Sequence, residues 1–120
     1  MTLDEYNAFC ASLPHTTYVV QWRGAHVWKV GGKVFAIGGL NDGQGTWVTF
    51  KASEMAFDML KQQPGLRPAP HMASRGLKWI QHASNESMDD EGLRDYIRES
   101  YRMVTAKLPR AIRRELGMAP

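Results

Sequence analysis

The sequence predicts an α+β fold in which helices cover one face of an antiparallel sheet. A stretch rich in β-branched and aromatic residues, punctuated by glycines, runs from residue 17 to residue 51 and is flanked by helical patterns. Its links are too short for parallel crossovers, so neighbouring strands must be antiparallel. The strands alternate loosely between apolar and polar residues, and such an antiparallel sheet needs helices on only one face. With 120 residues, of which 43% are hydrophobic, the chain is predicted to form one domain spanning residues 1–120.

The first helix is predicted to begin at once, because Thr2 and Glu5 match a capping box. Its apolar stripe consists of Leu3, Tyr6, Cys10 and Leu13. Pro14 ends the helix. Since Cys10 lies on the stripe, we expect it to fill core space rather than to act as a nucleophile.

Four strands are predicted next, over residues 18–22, 26–30, 33–37 and 46–51. The pair Gly31-Gly32 indicates a tight hairpin, because both positions adopt positive φ at little cost. The stretch from Gly38 to Gly45 is predicted to be a longer, glycine-rich loop. In the fourth strand Val48 and Phe50 point to one face and Trp47 and Lys51 to the other. If Val48 and Phe50 face the helices, Trp47 and Lys51 lie on the open face.

The remainder of the chain is predicted to add two helices, a fifth strand and a short last helix. Ser53 caps a helix running to about Gln63, whose buried face is Ala56, Met59 and Leu60 with Phe57 beside them. Residues 67–71 are extended or form a turn because of their prolines. Residues 77–82 read as the fifth strand. Ser87 with Asp90 begins a long helix to Leu108, and the last helix ends at Gly117. The whole is a meander of four strands plus a fifth.

Charge is distributed unevenly along the chain, although the formal net charge is only +3. Residues 1–60 hold four Lys and Arg against five Asp and Glu, whereas residues 61–120 hold eleven against seven. No acidic residue lies between Asp58 and Glu86. That window contains Lys61, Arg67, Arg75, Lys78, His71 and His82, and a second basic run is Arg110, Arg113 and Arg114. Such a field attracts polyanions, while the alternative is an ordinary solvated surface.

The long helix carries a ridge of arginines that resembles a nucleic-acid stripe. The ridge is Arg94, Arg98 and Arg102, and a parallel acidic ridge is Glu91, Asp95 and Glu99. Each arginine follows an acid at i, i+3, so we expect these charges to pair locally and to form a solvated face.

Several functional classes lack their residue patterns. The single cysteine excludes an internal disulfide and a multi-cysteine metal site. The four histidines have no ligand spacing, no Gly-x-Ser-x-Gly motif occurs, and the glycine pairs do not lead from a strand into a helix. We therefore predict no enzymatic activity, no metal site and no cofactor. The longest apolar run is too short for a membrane span and no export signal is visible, so a cytoplasmic location is expected.

Several sequence blocks resemble the MmcQ/YjbR family. They are residues 28–36 (WKVGGKVFA), 48–53 (VTFKAS), 67–71 (RPAPH), 78–80 (KWI), 100–101 (SY) and 106–109 (AKLP). The resemblance implies a fold similar to CyaY and frataxin, and a DNA-binding role through a double-wing arrangement of hairpins. It supplies no catalytic residue. The first helix offers only Asp4 and Glu5 in place of the acidic ridge of frataxins, which argues against iron delivery.

The leading functional hypothesis is a non-enzymatic DNA-binding protein. The residues expected to contact phosphates are Lys33, Lys51, Arg67, Arg75 and Lys78. Trp47 or Trp79 is a candidate for base stacking. The alternative is a protein–protein adaptor or homodimer that uses the open sheet face, motivated by four tryptophans and a modest net charge. A third option is a small-ligand cleft near residues 67–75.

Overall fold

The computed structural model describes residues 1–41, 44–70, 72 and 75–118. Within these ranges the elements follow one another as α1 (Leu3–Ser12), β1 (Thr16–Gln21), β2 (Ala25–Val30), β3 (Lys33–Asn41), β4 (Gln44–Lys51), α2 (Glu54–Leu60), β5 (Leu66–Pro68), β6 (Trp79–His82), α3 (Asp90–Ala106) and α4 (Arg110–Glu115). The chain is thus α+β, with its strands in one antiparallel sheet.

The sheet has six strands in the order β1-β2-β3-β4-β6-β5, so the prediction of about five strands was one short. The missed strand is β5, which pairs with the far side of β6 through Arg67 opposite Gln81. Because of its prolines, this segment was predicted to be extended or to form a turn, and not to pair in the sheet. Pro68 is tolerated because β5 is an edge strand, where a missing N–H breaks no ladder.

Two glycines that were predicted to begin a loop lie inside β3 instead. A Cβ on Gly38 would lie 2.5 Å from the Tyr6 ring, and one on Gly39 would lie 2.6 Å from the Trp47 indole. The glycines therefore provide room for a ring on each face of the strand, and the ladder continues to Asn41. Asp42 and Gly43 of the predicted loop lie outside the described residues.

The main core lies between the sheet and the helices. The side chains that are essentially inaccessible are Tyr6, Cys10, Val30, Phe35, Ala36, Val48, Phe50, Ile80, Leu93 and Ile97. Val48 and Phe50 face the helices as predicted. On α2, Phe57 and Leu60 are buried, but Met59 is 55% exposed, so its predicted burial was wrong.

Helix caps follow the sequence signals in two of three cases. Thr2 and Glu5 form the predicted capping box, and the Ser53 hydroxyl accepts a hydrogen bond from the amide of Ala56. The N-cap of α3 is Asp89 rather than Ser87, because its carboxylate accepts a hydrogen bond from the amide of Gly92. Cys10 is a buried core residue, as expected, and burial raises the pKa of its thiol to about 12.

The other sheet face, here called the open face, carries the cross-strand row Val27, Ile37, Thr49, Gln81 and Arg67. Its centre is not bare. A second cluster of Ala25, Val27 and Ile37 packs with Val34, Trp47 and Met72. Met72, a residue of the connection between β5 and β6, therefore covers part of the open face.

Candidate nucleic-acid interface

Three of the five predicted phosphate-binding residues meet at one end of the sheet. Lys33 begins β3, Lys51 ends β4, and Lys78 immediately precedes β6. The register brings these strand ends together, because Ala36 in β3 pairs with Phe50 in β4 and Lys51 pairs with Trp79. The amide of Ala52 also donates to the carbonyl of Lys78 at 2.9 Å. Residues 18 to 45 positions apart in the chain therefore share one surface.

A buried serine fixes the backbone of this surface. The Ser100 hydroxyl on α3 donates to the Phe35 carbonyl at 2.7 Å and accepts from the Lys51 amide at 2.9 Å. Phe35 lies where the β2–β3 register shifts. Ser100 thus bridges β3 and β4 from the helix side and holds the position from which Lys51 extends.

The three lysines reach different sides of the sheet. Lys33 and Lys78 are exposed and Lys51 is half-buried. Desolvation, and secondarily the charge of Lys107, lower the pKa of Lys51. The Lys78 ammonium lies 4.9 Å from the centre of the Phe57 ring, on the helix side. Together the lysines line the rim of the sheet rather than one flat face.

The C-terminal helices bring more cations to the same rim. Gly31, at the β2–β3 turn, has a φ of 58° and lies so close to Leu108 and Ile112 that a Cβ would come within 2.7 Å of the Leu108 side chain. This contact places the end of α3 and all of α4 beside Lys33. We call the resulting surface the basic end; it comprises Lys33, Lys51, Lys78, Lys107, Arg110 and Arg114. Arg110 and Arg114 line a cleft of about 440 Å³.

No ion pair joins a cation of the basic end to a carboxylate within the described ranges. The acidic residues Glu54 and Glu115 belong to neighbouring elements but do not pair with them. Arg113 differs, because its guanidinium donates to the carbonyls of Thr105 and Ala106 at the end of α3. In the part of the chain that the structure describes, no carboxylate therefore compensates the positive charge of these six side chains by an ion pair.

Arg67 and Arg75 do not join the basic end. The Arg67 guanidinium projects on the open face and donates to the Gln81 side-chain oxygen at 2.8 Å. Arg75 is exposed in the connection between β5 and β6, and its amide donates to the Met72 carbonyl. His71 of the predicted basic window lies outside the described residues. The acid-free sequence window is therefore split between the rim and the open face.

Acidic residues collect at the opposite end of the molecule. Asp4 and Glu5 occupy the first turn of α1, and Asp90 and Glu91 that of α3. These two helix starts adjoin, since the amine of Met1 donates to Asp90 at 2.8 Å. Negative charge is favoured at helix N-termini by the helix dipole. The first turns of α1 and α3 therefore place four carboxylates at the end of the molecule opposite the basic end.

The arginine ridge on α3 is largely neutralised, as predicted. Arg98 pairs with Asp95 at 2.8 Å, and Arg102 pairs with Glu99. The third pair, Arg94 with Glu91, does not form an ion pair in the described part of the chain. This face of α3 is a solvated surface rather than a competing site.

Base stacking requires an exposed ring, and neither candidate, Trp47 or Trp79, is fully exposed. Trp79 is 9% exposed and Trp47 is half-buried against Gly39. Trp22 is 60% exposed at the β1–β2 turn, where its φ is 51° and that of Arg23 is 64°. A bulky residue in the left-handed region is uncommon. The sequence of residues 18–22 (YVVQW) gave no signal for the exposure of Trp22.

His26 and His82 have structural contacts. His26 Nδ1 lies 2.6 Å from the Tyr18 hydroxyl and 3.3 Å from the Asn7 amide. His82 is 3% exposed and its Nε2 lies 2.8 Å from the Met88 carbonyl, whereas its Nδ1 has no hydrogen-bond partner among the described residues. No group of three potential metal ligands forms within the described ranges.

The cleft near residues 67–75 is small and mostly apolar. It measures about 230 Å³ and lies beneath the connection between β5 and β6. The described residues that line it are Ile37, Trp47, Thr49, Ala69, Pro70, Met72 and Gln81. None of these seven side chains is an acid or a base. As for membranes, no helix in the described ranges is both long and apolar enough to span one.

Comparison with known proteins places the chain in a family. The crystal structure of Deinococcus radiodurans protein DR2400, a DUF419 domain, has a TM-score of 0.83 and 24% identity, covering 98% of this chain and 89% of that one. A Pseudomonas syringae protein has a TM-score of 0.67 and 18% identity, covering 86% of this chain and 98% of that one. These structural similarities show that the chain shares its fold with both proteins. No curated protein matches the chain. The YjbR family model matches residues 11–103, and the protein therefore belongs to the YjbR family.

Proposed function

We propose that this protein binds DNA through its basic end, by contacts to backbone phosphates and without catalysis. The observation that supports the proposal is the gathering of six cations, from four separate stretches of the chain, at one end of the sheet, where none has an ion-pair partner among the described residues. Phosphate contacts position a protein on a duplex without reading its sequence. We therefore expect binding with little sequence preference.

The separation of charge gives the encounter a direction. A polyanion attracts the basic end and repels the acidic end formed by the first turns of α1 and α3. The protein would therefore meet the duplex with its strands pointing toward it. Lys33 lies at a hairpin turn, and the cleft between Arg110 and Arg114 is open to a phosphate group.

Arg67 and Arg75 enter this proposal as a secondary group. Both lie toward the open face rather than at the rim, and Arg67 is engaged by Gln81. We therefore expect their substitution to weaken binding less than that of Lys33 or Lys78.

A salt titration of duplex binding tests the proposal. Binding through about five or six phosphates gives a log–log slope of affinity against salt of roughly −4.5 to −5.5. The double variant Lys33→Ala with Lys78→Ala removes two exposed cations of the basic end. We expect its slope to be smaller in magnitude by about 2.

The matched control is Arg98→Ala with Arg102→Ala, which removes the same charge from residues that are already ion-paired on α3. Its slope should equal that of the unmodified protein. No retardation of duplex DNA at low salt, or equal slopes for both double variants, would exclude the basic end as a DNA site.

Two further expectations remain proposals: the similarity of the fold to CyaY and frataxin, and the alternative function as an adaptor or homodimer that uses the open sheet face. An antiparallel sheet with α1 and α3 on one face is compatible with the implied similarity to CyaY and frataxin. Association through the open face stays a prediction. Little apolar surface is free there, because Val27 and Ile37 are buried and Met72 packs on them.

A further inference from the structure

The edge strand β1 has an outer side that no described residue pairs with. It is first in the strand order and contacts only β2 within the sheet. Its six residues, TTYVVQ, contain no charge and no proline, and four of the six are exposed. Natural sheets protect exposed edges with charges, prolines, bulges or short strands. None of these devices is present in β1.

The opposite edge of the same sheet is protected. β5 has three residues, of which one is an arginine and one a proline. The contrast matters because both edges belong to one fold and face the same risk of unwanted pairing. An unprotected β1 is therefore a feature of this sequence that calls for an occupant.

Apolar side chains accompany the free backbone of β1. Tyr18 is 46% exposed, Val19 37% and Val20 49%, and Trp22 follows at 60%. Tyr18 is held in place, since its ring packs 4.9 Å from that of Trp28 and its hydroxyl contacts His26. The Tyr18 side chain is thus already ordered before association, so fixing it in an interface costs little entropy.

We propose that the occupant is a second copy of this chain, which pairs β1 with β1 in an antiparallel, two-fold arrangement centred on Val19. A two-fold axis normal to the sheet keeps the helices of both copies on one side. It therefore requires residues of like face to lie opposite each other. When the axis passes between the two Val19 residues, Tyr18 of each copy lies opposite Val20 of the other copy, on the helix side. Thr17 of each copy then lies opposite Gln21 of the other copy, on the open side.

The strand is complementary to itself in this register. Aromatic and β-branched cross-strand pairs stabilise sheets, and both copies contribute one of each. Val19 meets its own counterpart, and the polar Thr17 and Gln21 pair at the periphery. Centring on Tyr18 would instead place the polar Thr16 opposite Val20. The lack of charge also favours a second copy, because a charged partner strand would find no opposite charge on β1.

Disulfide trapping tests the register. In the proposed dimer the two Val19 Cα atoms lie about 4.5–5.5 Å apart, which suits a disulfide, whereas the two Val20 Cα atoms are separated by two residues along the strand, beyond about 7 Å. Val19→Cys should therefore form an intermolecular disulfide under mild oxidation, and Val20→Cys should not. The native Cys10 is buried and does not compete.

Sedimentation of the unmodified protein tests the association itself, without DNA. We expect a dimer that Val20→Lys dissociates, with a dissociation constant raised by at least about tenfold. Met55→Lys is the matched control, because Met55 is 82% exposed on α2, which packs on β5 and β6 at the opposite edge of the sheet from β1. It should leave the dimer intact.

Three outcomes would overturn the proposal. A monomer at high protein concentration would leave β1 free for a strand of another protein instead. Equal disulfide yields for the Val19 and Val20 variants would indicate random collision or another register. Equal dissociation by the Val20 and Met55 variants would place the contact elsewhere. None of these readouts depends on DNA binding.

Discussion

At the scale of single residues, Ser100 shows how a polar group in the core positions a surface group. Its hydroxyl donates to the Phe35 carbonyl, where the β2–β3 register shifts, and accepts a hydrogen bond from the Lys51 amide. It thereby fixes the backbone from which Lys51 extends. The sequence indicated no hydrogen-bond partner for Ser100. The partners come from strands 49 and 65 positions away.

We predict that Ser100→Ala destabilises the protein by roughly 2–4 kcal/mol, because it leaves the Phe35 carbonyl and the Lys51 amide buried without a partner. Chemical denaturation measures the change. Ser12→Ala is the control, since its hydroxyl bonds to the Phe9 carbonyl on an exposed helix end, and it should change stability by less than about 0.5 kcal/mol. Equal effects would show that the Ser100 bridge contributes nothing specific.

At the scale of elements, β3 was predicted too short because glycine has two roles that a single sequence does not separate. In turns it supplies positive φ, as at Gly31 and Gly32. In β3 it supplies space, since Gly38 faces the Tyr6 ring and Gly39 the Trp47 indole. Because glycine favours turns and loops, the sequence predicted a turn at Gly31-Gly32 and the start of a loop at Gly38-Gly39. Only packing between distant residues distinguishes them.

We predict that Gly38→Ala destabilises the fold by about 1–3 kcal/mol, because the new methyl group meets the Tyr6 ring, which is inaccessible and held by its hydrogen bond to the His26 carbonyl. Thermal unfolding provides the measurement. Gly45→Ala lies in the neighbouring strand, where a Cβ meets nothing within 4 Å, and should be nearly neutral. If both substitutions are neutral, the close approach of Gly38 and Tyr6 is not required for the fold.

At the scale of the whole molecule, the fold polarises charge. The helix starts at one end hold carboxylates, and the basic end gathers cations. Within the basic end, partial burial and, secondarily, the nearby charge of Lys107 lower the pKa of Lys51. A bound phosphate would favour the charged lysine and raise that pKa again.

We predict that DNA affinity falls as pH rises through the Lys51 pKa, because the free protein then loses a charge that the complex retains. The fall should begin at a lower pH than for an ordinary lysine. Binding measured from about pH 7 to about pH 10 at fixed salt reveals it, and Lys51→Arg, which stays charged, should delay it. Identical pH profiles for the two proteins would remove Lys51 from the interface.

The sequence by itself determined the fold class, the meander, the caps at Thr2 and Ser53, the burial of Cys10 and the local pairing of charges on α3. These features depend on residues within one turn of helix or one strand, where spacing alone fixes neighbours. Tertiary structure decided the rest. Pairing of β5 with β6, the place of Gly38, the separation of Arg67 and Arg75 from Lys33 and the exposure of Trp22 all depend on contacts between distant segments. Local propensity carries no information about which distant side chain or strand will occupy the adjoining space.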